Sequence, residues 1–289
     1  MFPRPFEYHD PGDLPGVVDL LARYGEDAKL MAGGQSLLPM MKLRLASPRV
    51  IVDLWRVPGI ESIEERGDWI AIGARATHYQ LETSPVLRAR CPVLAQAAGV
   101  IGDPQVRNLG TIGGSVAHAD PAADYPPVLV ALGARMRVRG PRGERTVPAD
   151  AFFKSFFTTA LEPAEVITAV EVPVPPPGTG AVYAKLSRRA SDFGLVCVCA
   201  VVRPDGGARR VTVVLGGLGP VPFRAAAAEA VLGGDPPTAA LLREAASRAV
   251  EGVDPLSDVH ADAAYRLAVA PVYVRRALEA AYGQTRGGA

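Results

Sequence analysis

Residues 172–180 read VPVPPPGTG. Proline has no N–H to give a β-ladder and breaks a helix interior, so no regular element runs through this stretch and the chain divides there. The two sides differ in pattern. Upstream, strands and helices alternate. FEY, a helix with Leu14, Val17, Val18, Leu20 and Leu21 at helical spacing, AKLMAGG, a short helix LLPMMKLRL and RVIVDL form a compact βαβ-like unit. Past Pro58, WIAIGARAT reads as an alternating strand, Pro92 to Val100 as a helix, PPVLVALGARMRVRG as a short helix and a strand, and EVITAVEVPVP as a closing strand. Downstream, AVYAKLS, LVCVCAVV and RRVTVVLGG are three successive strands, and helices are expected from Phe223, Thr238 and Ala263, with Pro271 kinking or restarting the last. Strands in succession followed by helices in succession predict an α+β domain whose helices cover one face of an antiparallel sheet. The expected division is 1–57 and 58–175 as two lobes, and 176–289 as a C-terminal domain.

Composition narrows the function classes. Of 289 residues, 48% are hydrophobic, enough for a sizeable core. Lys plus Arg is 31 against 30 for Asp plus Glu, so no overall field draws the chain to nucleic acid or an anionic membrane. The longest apolar run, Leu195 to Val202, is far too short for a transmembrane segment, and MFPRPFEYHD lacks a signal peptide's apolar core. The expected setting is reducing and cytoplasmic. Cys91, Cys197 and Cys199 read as core thiols; with the scattered histidines His9, His78, His118 and His260 they offer no ligand spacing for zinc or an iron–sulfur cluster.

Two glycine loops share a chemistry. AGGQS, Ala32 to Ser36, follows a strand and leads into the short helix; TIGGS, Thr111 to Ser115, lies between apolar segments. Paired glycines let the main chain approach a ligand closely, and their N–H groups together with the Ser36, Thr111 and Ser115 hydroxyls suit phosphate oxygens. The competing reading of either loop is a tight turn. Neither is a Walker loop, because GxxxxGK[ST] is absent. In VTVVLGGLGPVPFRAAAAEA, Pro220 and Pro222 fill the turn where a Rossmann unit needs donors. In DPAADYPPVLVALG, Asp120 before Pro121 reads as a helix N-cap, and Asp124 before Pro126 offers the same role.

With AGGQSLLPMMKLRLASPRVIVDL, GDPQVRNLGTIGGSVAHADPAADYPPVLVALGA and YAKLSRRASDFGLVCVCAVV, the chain resembles the FAD-binding medium subunit of the molybdenum hydroxylases, the carbon monoxide dehydrogenase and xanthine dehydrogenase family. The resemblance spans essentially the whole length. It implies an α+β chain: a two-lobed FAD-binding domain of PCMH type, then a C-terminal domain with a three-stranded antiparallel sheet and a helical bundle. It implies FAD as cofactor. Ala32, Gly33, Gly34, Gln35, Ser36 and Leu37 match the first diphosphate loop. Thr111, Ile112, Gly113, Gly114 and Ser115 match the second, Asp124 an acidic FAD contact, and Leu161, Lys185 and Phe193 positions near the flavin. Lys185 reads equally as an exposed strand end beside Arg188 and Arg189, Arg107 as a brace for the loop or a solvated side chain, and His118 as a packed residue rather than a catalyst.

The resemblance further implies an oxidoreductase subunit without a catalytic residue or metal of its own. A large molybdopterin subunit and a small subunit with two 2Fe-2S clusters would be its partners, in a dimer of heterotrimers. FAD would pass electrons to an external acceptor. A self-contained FAD oxidoreductase and an FAD-free assembly scaffold for the large subunit are the alternatives. Two positions depart from the carbon monoxide dehydrogenase pattern: Gln35 replaces a histidine and keeps hydrogen-bond donors without a titrating ring, and Phe193 replaces a tyrosine and offers no hydroxyl. That enzyme's substrate and acceptor are therefore not carried over.

Overall fold

The computed structural model describes residues 2–232 and 237–286. The N-terminal lobe contains β1 (Glu7–His9), α1 (Leu14–Tyr24), β2 (Ala28–Met31), α2 (Leu37–Lys42) and β3 (Val50–Asp53). Its strands form a parallel sheet in the order β1-β3-β2. The central strand VIVD is buried throughout, and α1 sets Val17, Val18 and Leu21 against it. Asp13 starts α1 by accepting from the Gly16 N–H at 2.8 Å, with Pro15 in the first turn where a missing N–H costs nothing.

The second lobe is built on β4 (Ile63–Arg66) and β5 (Trp69–Gly73), followed by six helices: α3 (His78–Thr83), α4 (Pro85–Arg90), α5 (Pro92–Gly99), α6 (Pro104–Leu109), α7 (Ile112–His118) and α8 (Tyr125–Leu132). The chain returns through β6 (Arg135–Gly140), β7 (Gly143–Pro148), α9 (Ala149–Phe152), the small hairpin β8 (Phe153–Ser155) and β9 (Thr158–Thr159), and β10 (Val166–Pro173). Five strands form one sheet in the order β4-β5-β10-β6-β7, antiparallel at every junction. Pro173 is the last residue of β10, and the next strand begins at Gly180, so the proline run is a connection between sheets.

Beyond it, β11 (Gly180–Leu186), β12 (Val196–Asp205) and β13 (Ala208–Gly216) form a long antiparallel meander. A two-residue strand, β14 (Phe223–Arg224), adds to its edge. The helices α10 (Ala226–Val231), α11 (Ala239–Arg248) and α12 (Ala263–Arg286) follow. The helix expected from Phe223 therefore starts three residues later, because Phe223 and Arg224 pair with Leu215 and Val214. Pro271 neither restarts nor ends the last helix, which runs unbroken over 24 residues. Its packing along β11 and β12 holds it across the position where proline removes one main-chain bond.

Both faces of the C-terminal sheet are covered. Val196, Val198, Ala200 and Val202 face α10–α12, whereas Cys197, Cys199 and Val201 face the second lobe. That accounts for the uninterrupted apolar run of β12, where a strand with one wet face would alternate. The helix α8 supplies the second cover: it packs on β12 and β13 and is apolar on nearly every side, as a helix buried all round must be. Cys91, Cys197 and Cys199 are free thiols inside this core, and burial pushes Cys91 up to about 11 and Cys197 up to about 12.

Candidate functional site: a cleft between the two glycine segments

The first glycine segment is an open row of donors. The turn after β2 carries Gly34 at φ +69°, a left-handed conformation that glycine enters without strain. None of the main-chain N–H groups from Ala32 to Ser36 donates to a partner among the described residues. Gln35 Nε2 donates to the Gly33 carbonyl at 3.4 Å, and Ser36 sits at the cap position of α2 with its hydroxyl uncommitted to the helix. Leu37 opens that helix.

The second segment is not a loop. Thr111 is the N-cap of α7, accepting from the Gly114 N–H at 3.1 Å, and Ile112 to Ser115 form the first turns of the helix. Its amides are already engaged. Ile112 donates to the Ala76 carbonyl at 3.0 Å, Gly113 to Ala74 at 2.8 Å and Ser115 to Thr111 at 3.0 Å. The glycines serve packing: a Cβ on Gly113 would lie 2.6 Å from the Ala74 carbonyl oxygen, while Gly114 is exposed and meets only the Thr111 hydroxyl. What this segment offers a ligand is the Thr111 N–H and the Thr111 and Ser115 hydroxyls.

The two segments face each other across a tight contact. A Cβ on Gly33 would fall 1.9 Å from the Leu109 carbonyl oxygen and 2.8 Å from the Gly110 Cα. Beside this contact opens a cleft of about 370 Å³ lined by Ala32, Gly33, Thr111, Leu109, Trp55 and Arg75, among others. Uncommitted amides, paired hydroxyl donors and a main chain that only glycine allows so close together fit the diphosphate of a dinucleotide. Each charge-assisted hydrogen bond to such an anion is worth roughly 1.5–3 kcal/mol.

Of the remaining candidates, Asp124 and Lys185 meet where the start of α8 faces the end of β11. Asp124 holds the cap position of α8 but caps nothing: its carboxylate accepts from Tyr183 Oη at 2.6 Å and lies 3.0 Å from Lys185 Nζ. Burial pushes the Asp124 carboxyl up, and the Lys185 ammonium pulls it the other way. Lys185 is no exposed strand end; its side chain is 7% exposed and also donates to the Val100 carbonyl at 3.1 Å. Phe193 is 59% exposed, one residue from Gly194, which packs beside the Lys185 stem. Leu161 is half-buried at the edge of the second lobe's core. Asp120 caps no helix either, and accepts instead from the Ala122 N–H at 2.9 Å within its own turn.

Supporting residues complete the arrangement. Arg107 is a brace: it pairs with Glu82 at 2.9 Å and donates to the Ile101 and Gly102 carbonyls. His118 packs on the Phe157 ring. Buried His78 pairs with Tyr125 at 3.0 Å and donates its main-chain N–H to the Gly110 carbonyl, next to Thr111. Tyr183, Trp55, Glu61 and Arg75 carried no sequence signal, since only the folded chain brings them to Asp124 or to the cleft. Among the described residues no helix is long and apolar enough to cross a membrane.

Residues 4–175 match the family described as FAD binding domain in molybdopterin dehydrogenase, and residues 181–281 match the CO dehydrogenase flavoprotein C-terminal domain. The chain is 41% identical over 285 residues to the carbon monoxide dehydrogenase medium chain of Hydrogenophaga pseudoflava, covering 98% of this chain and 99% of the relative. It is 38% identical to the 6-hydroxypseudooxynicotine dehydrogenase complex subunit alpha of Paenarthrobacter nicotinovorans, covering 99% and 97%. Among solved structures it superposes on carbon monoxide dehydrogenase from Hydrogenophaga pseudoflava with a TM-score of 0.95 at 44% identity, over 98% of this chain and 99% of that one. Against quinoline 2-oxidoreductase from Pseudomonas putida 86 the TM-score is 0.93 at 34% identity, over 99% and 100%.

Proposed function

The chain belongs to the FAD-binding medium subunits of molybdenum-containing dehydrogenases, and from that premise we propose that it is the electron-transfer subunit of a molybdenum hydroxylase complex, carrying electrons from 2Fe-2S clusters on a small partner to an external acceptor. A large molybdopterin subunit completes the assembly, as a cytoplasmic heterohexamer made of two heterotrimers. The names of the relatives support this division of labour. They specify carbon monoxide, a hydroxypseudooxynicotine and quinoline, and one fold serving such different substrates fits substrate chemistry that resides on another chain.

The observation that carries the reading is the row of uncommitted N–H groups from Ala32 to Ser36, facing the capped start of α7 across the Gly33–Leu109 contact. In this reading the lobes 1–57 and 58–175 hold the cofactor between them, and the domain 176–289 closes one end. Ala32, Gly33, Gly34, Gln35 and Ser36 donate to the diphosphate, with Leu37 fixing the entry to α2. Thr111 and Ser115 donate their hydroxyls from the opposite lobe, and Ile112, Gly113 and Gly114 shape that helix start. Asp124 and Lys185 set the polarity beside the ring system, with Leu161 and Phe193 as its apolar neighbours. Bound there, FAD would supply a carrier that takes electrons one at a time from the clusters and can hand them on singly or in pairs.

The purified chain should be yellow, with the two visible absorption bands of bound flavin, and should co-purify with a molybdenum-containing and an iron–sulfur subunit when the three are expressed together. A folded, colourless chain that gains no flavin on incubation with FAD would overturn the assignment. An isolated chain that oxidises a small substrate without partners would overturn the subunit role.

A further inference from the structure

We infer that Trp55, Glu61 and Arg75 seat the adenosine half of the dinucleotide, at the end of the cleft away from Asp124 and Lys185. This rests on the reading of the cleft as the FAD site and says which part of the cofactor occupies it.

The cluster is prebuilt by main-chain contacts. Asp53 ends β3 nearly buried, where it accepts from Tyr8 Oη at 2.7 Å and from the Trp55 N–H at 2.8 Å, so the backbone beneath the indole is anchored. The Gly73 N–H donates to the Ser62 carbonyl at 2.8 Å and the Arg75 N–H to the Ile60 carbonyl at 2.7 Å. These two bonds zip the chain around Glu61 onto the end of β5. Glu61 and Arg75 then pair at 3.2 Å.

What the cluster leaves unsatisfied defines its ligand. The Trp55 indole is 61% exposed although its backbone is fixed, and the Arg75 guanidinium lies 5.4 Å from its ring centroid. Buried Arg75 Nε has no hydrogen-bond partner among the described residues, and Glu61 Oε2, 3.2 Å from Arg75 Nη2, is held by that ion pair without a hydrogen bond. A buried polar atom without a partner is costly unless a ligand completes it. The cluster therefore offers an aromatic face, a carboxylate acceptor and a guanidinium donor. Adenosine presents the complements: a flat base, ribose hydroxyls that donate and ring nitrogens that accept.

Position separates this end from the flavin end. Trp55, Glu61 and Arg75 line the same cleft as Ala32, Gly33 and Thr111, whereas Asp124, Leu161, Lys185 and Phe193 do not line it. A cleft of about 370 Å³ is at the small end of ligand sites, room for part of a dinucleotide rather than all of it. In this arrangement Trp55 stacks on the base, Glu61 accepts from the ribose, and Arg75 is a positioning residue for both.

The test compares FAD, FMN and ADP on the full-length chain after its flavin has been removed, with circular dichroism as the check on folding. Stacking of one base on an aromatic side chain predicts that Trp55→Ala weakens FAD binding roughly tenfold, while FMN, which lacks adenosine, binds within about twofold of the parent chain on the same argument. Trp55→Phe should restore most of the FAD affinity, and Glu61→Gln should weaken FAD but not FMN. In a Trp69→Phe chain, Trp55 is the sole tryptophan, and saturating ADP should quench its fluorescence. Equal weakening of FAD and FMN, no weakening of either, or a Trp55 emission indifferent to ADP would overturn the assignment. Failure of the parent chain to bind FAD at all would instead overturn the flavoprotein reading beneath it.

Discussion

Gly33 and Leu109 hold the two lobes in register: the Leu109 carbonyl oxygen occupies the space that a Cβ at position 33 would need, 1.9 Å away. Gly33→Ala must push β2's turn off the second lobe. Overpacking of this kind typically costs about 1–3 kcal/mol, and here the strain falls on the segment proposed to hold the diphosphate. The flavin-to-protein ratio, read from absorbance, should drop sharply, with a lower melting temperature. Gly12→Ala, at a position with nothing within 4 Å of the added carbon, is the control that should change neither.

Thr111 has two tasks that substitution can separate. As N-cap of α7 it accepts from Gly114, and its loss to alanine should cost about 1 kcal/mol in thermal unfolding. Thr111→Ser keeps the acceptor and should restore both stability and flavin content. Gly114→Asp places its Cβ 2.9 Å from the Thr111 hydroxyl and carries a carboxylate on this exposed turn. Flavin content should collapse while circular dichroism stays near that of the parent chain, because Gly114 is exposed and Gly113 is the one packed on Ala74.

These glycines show which parts of the chain were legible before folding. AGGQS announced itself because Gly34 sits at positive φ and Gly33 has no room for a side chain, demands that only glycine meets. TIGGS read as a loop because paired glycines disfavour a helix. The contact of Gly113 with Ala74 and the Thr111 cap override that propensity. Asp124 offered a cap from its place before the prolines of α8 and, by resemblance, a cofactor contact; the partners that hold its carboxylate, Tyr183 and Lys185, lie on a strand some sixty residues later. The alternation of strands and helices, the proline boundary and the strands of the C-terminal sheet followed from local pattern. Trp55, Glu61 and Arg75 did not, because no periodicity connects three residues joined only by the end of β5.

Lys185 and Asp124 form a buried ion pair, with side chains 7% and 4% exposed. Lys185→Met leaves a carboxylate in the core with only Tyr183 to donate to it. Removing one member of such a pair typically costs about 3–5 kcal/mol. Because burial already pushes Asp124 up, the single variant should regain stability as pH falls and the carboxyl protonates in the folded state. The double variant Asp124→Asn, Lys185→Met removes both charges and should be less destabilised than the sum of the two single variants, a coupling that denaturant unfolding of all four chains measures.

His78 links acid to the start of α7. Burial, with the Arg107 guanidinium adding to it, pushes its imidazole down to about 4, against an ordinary value near 6.5. The unfolded chain therefore binds a proton at a pH where the folded one does not. The stability that His78 contributes is fully present above pH ~6.5 and is lost as pH falls toward ~4, amounting to about 3 kcal/mol across that window. Protonation also places a charge in the core beside Tyr125 and against Gly110, whose carbonyl accepts from the His78 N–H. Thermal unfolding followed from pH 7.5 to 4.5 should show the melting temperature of the parent chain falling more steeply than that of a His78→Gln variant, whose amide can still pair with Tyr125 but does not titrate. Flavin release should track the same window in the parent chain and shift to lower pH in the variant, because Gly110 precedes the residue that caps α7. Parallel melting curves for the two chains would mean that another group, such as a carboxylate, governs the acid limit.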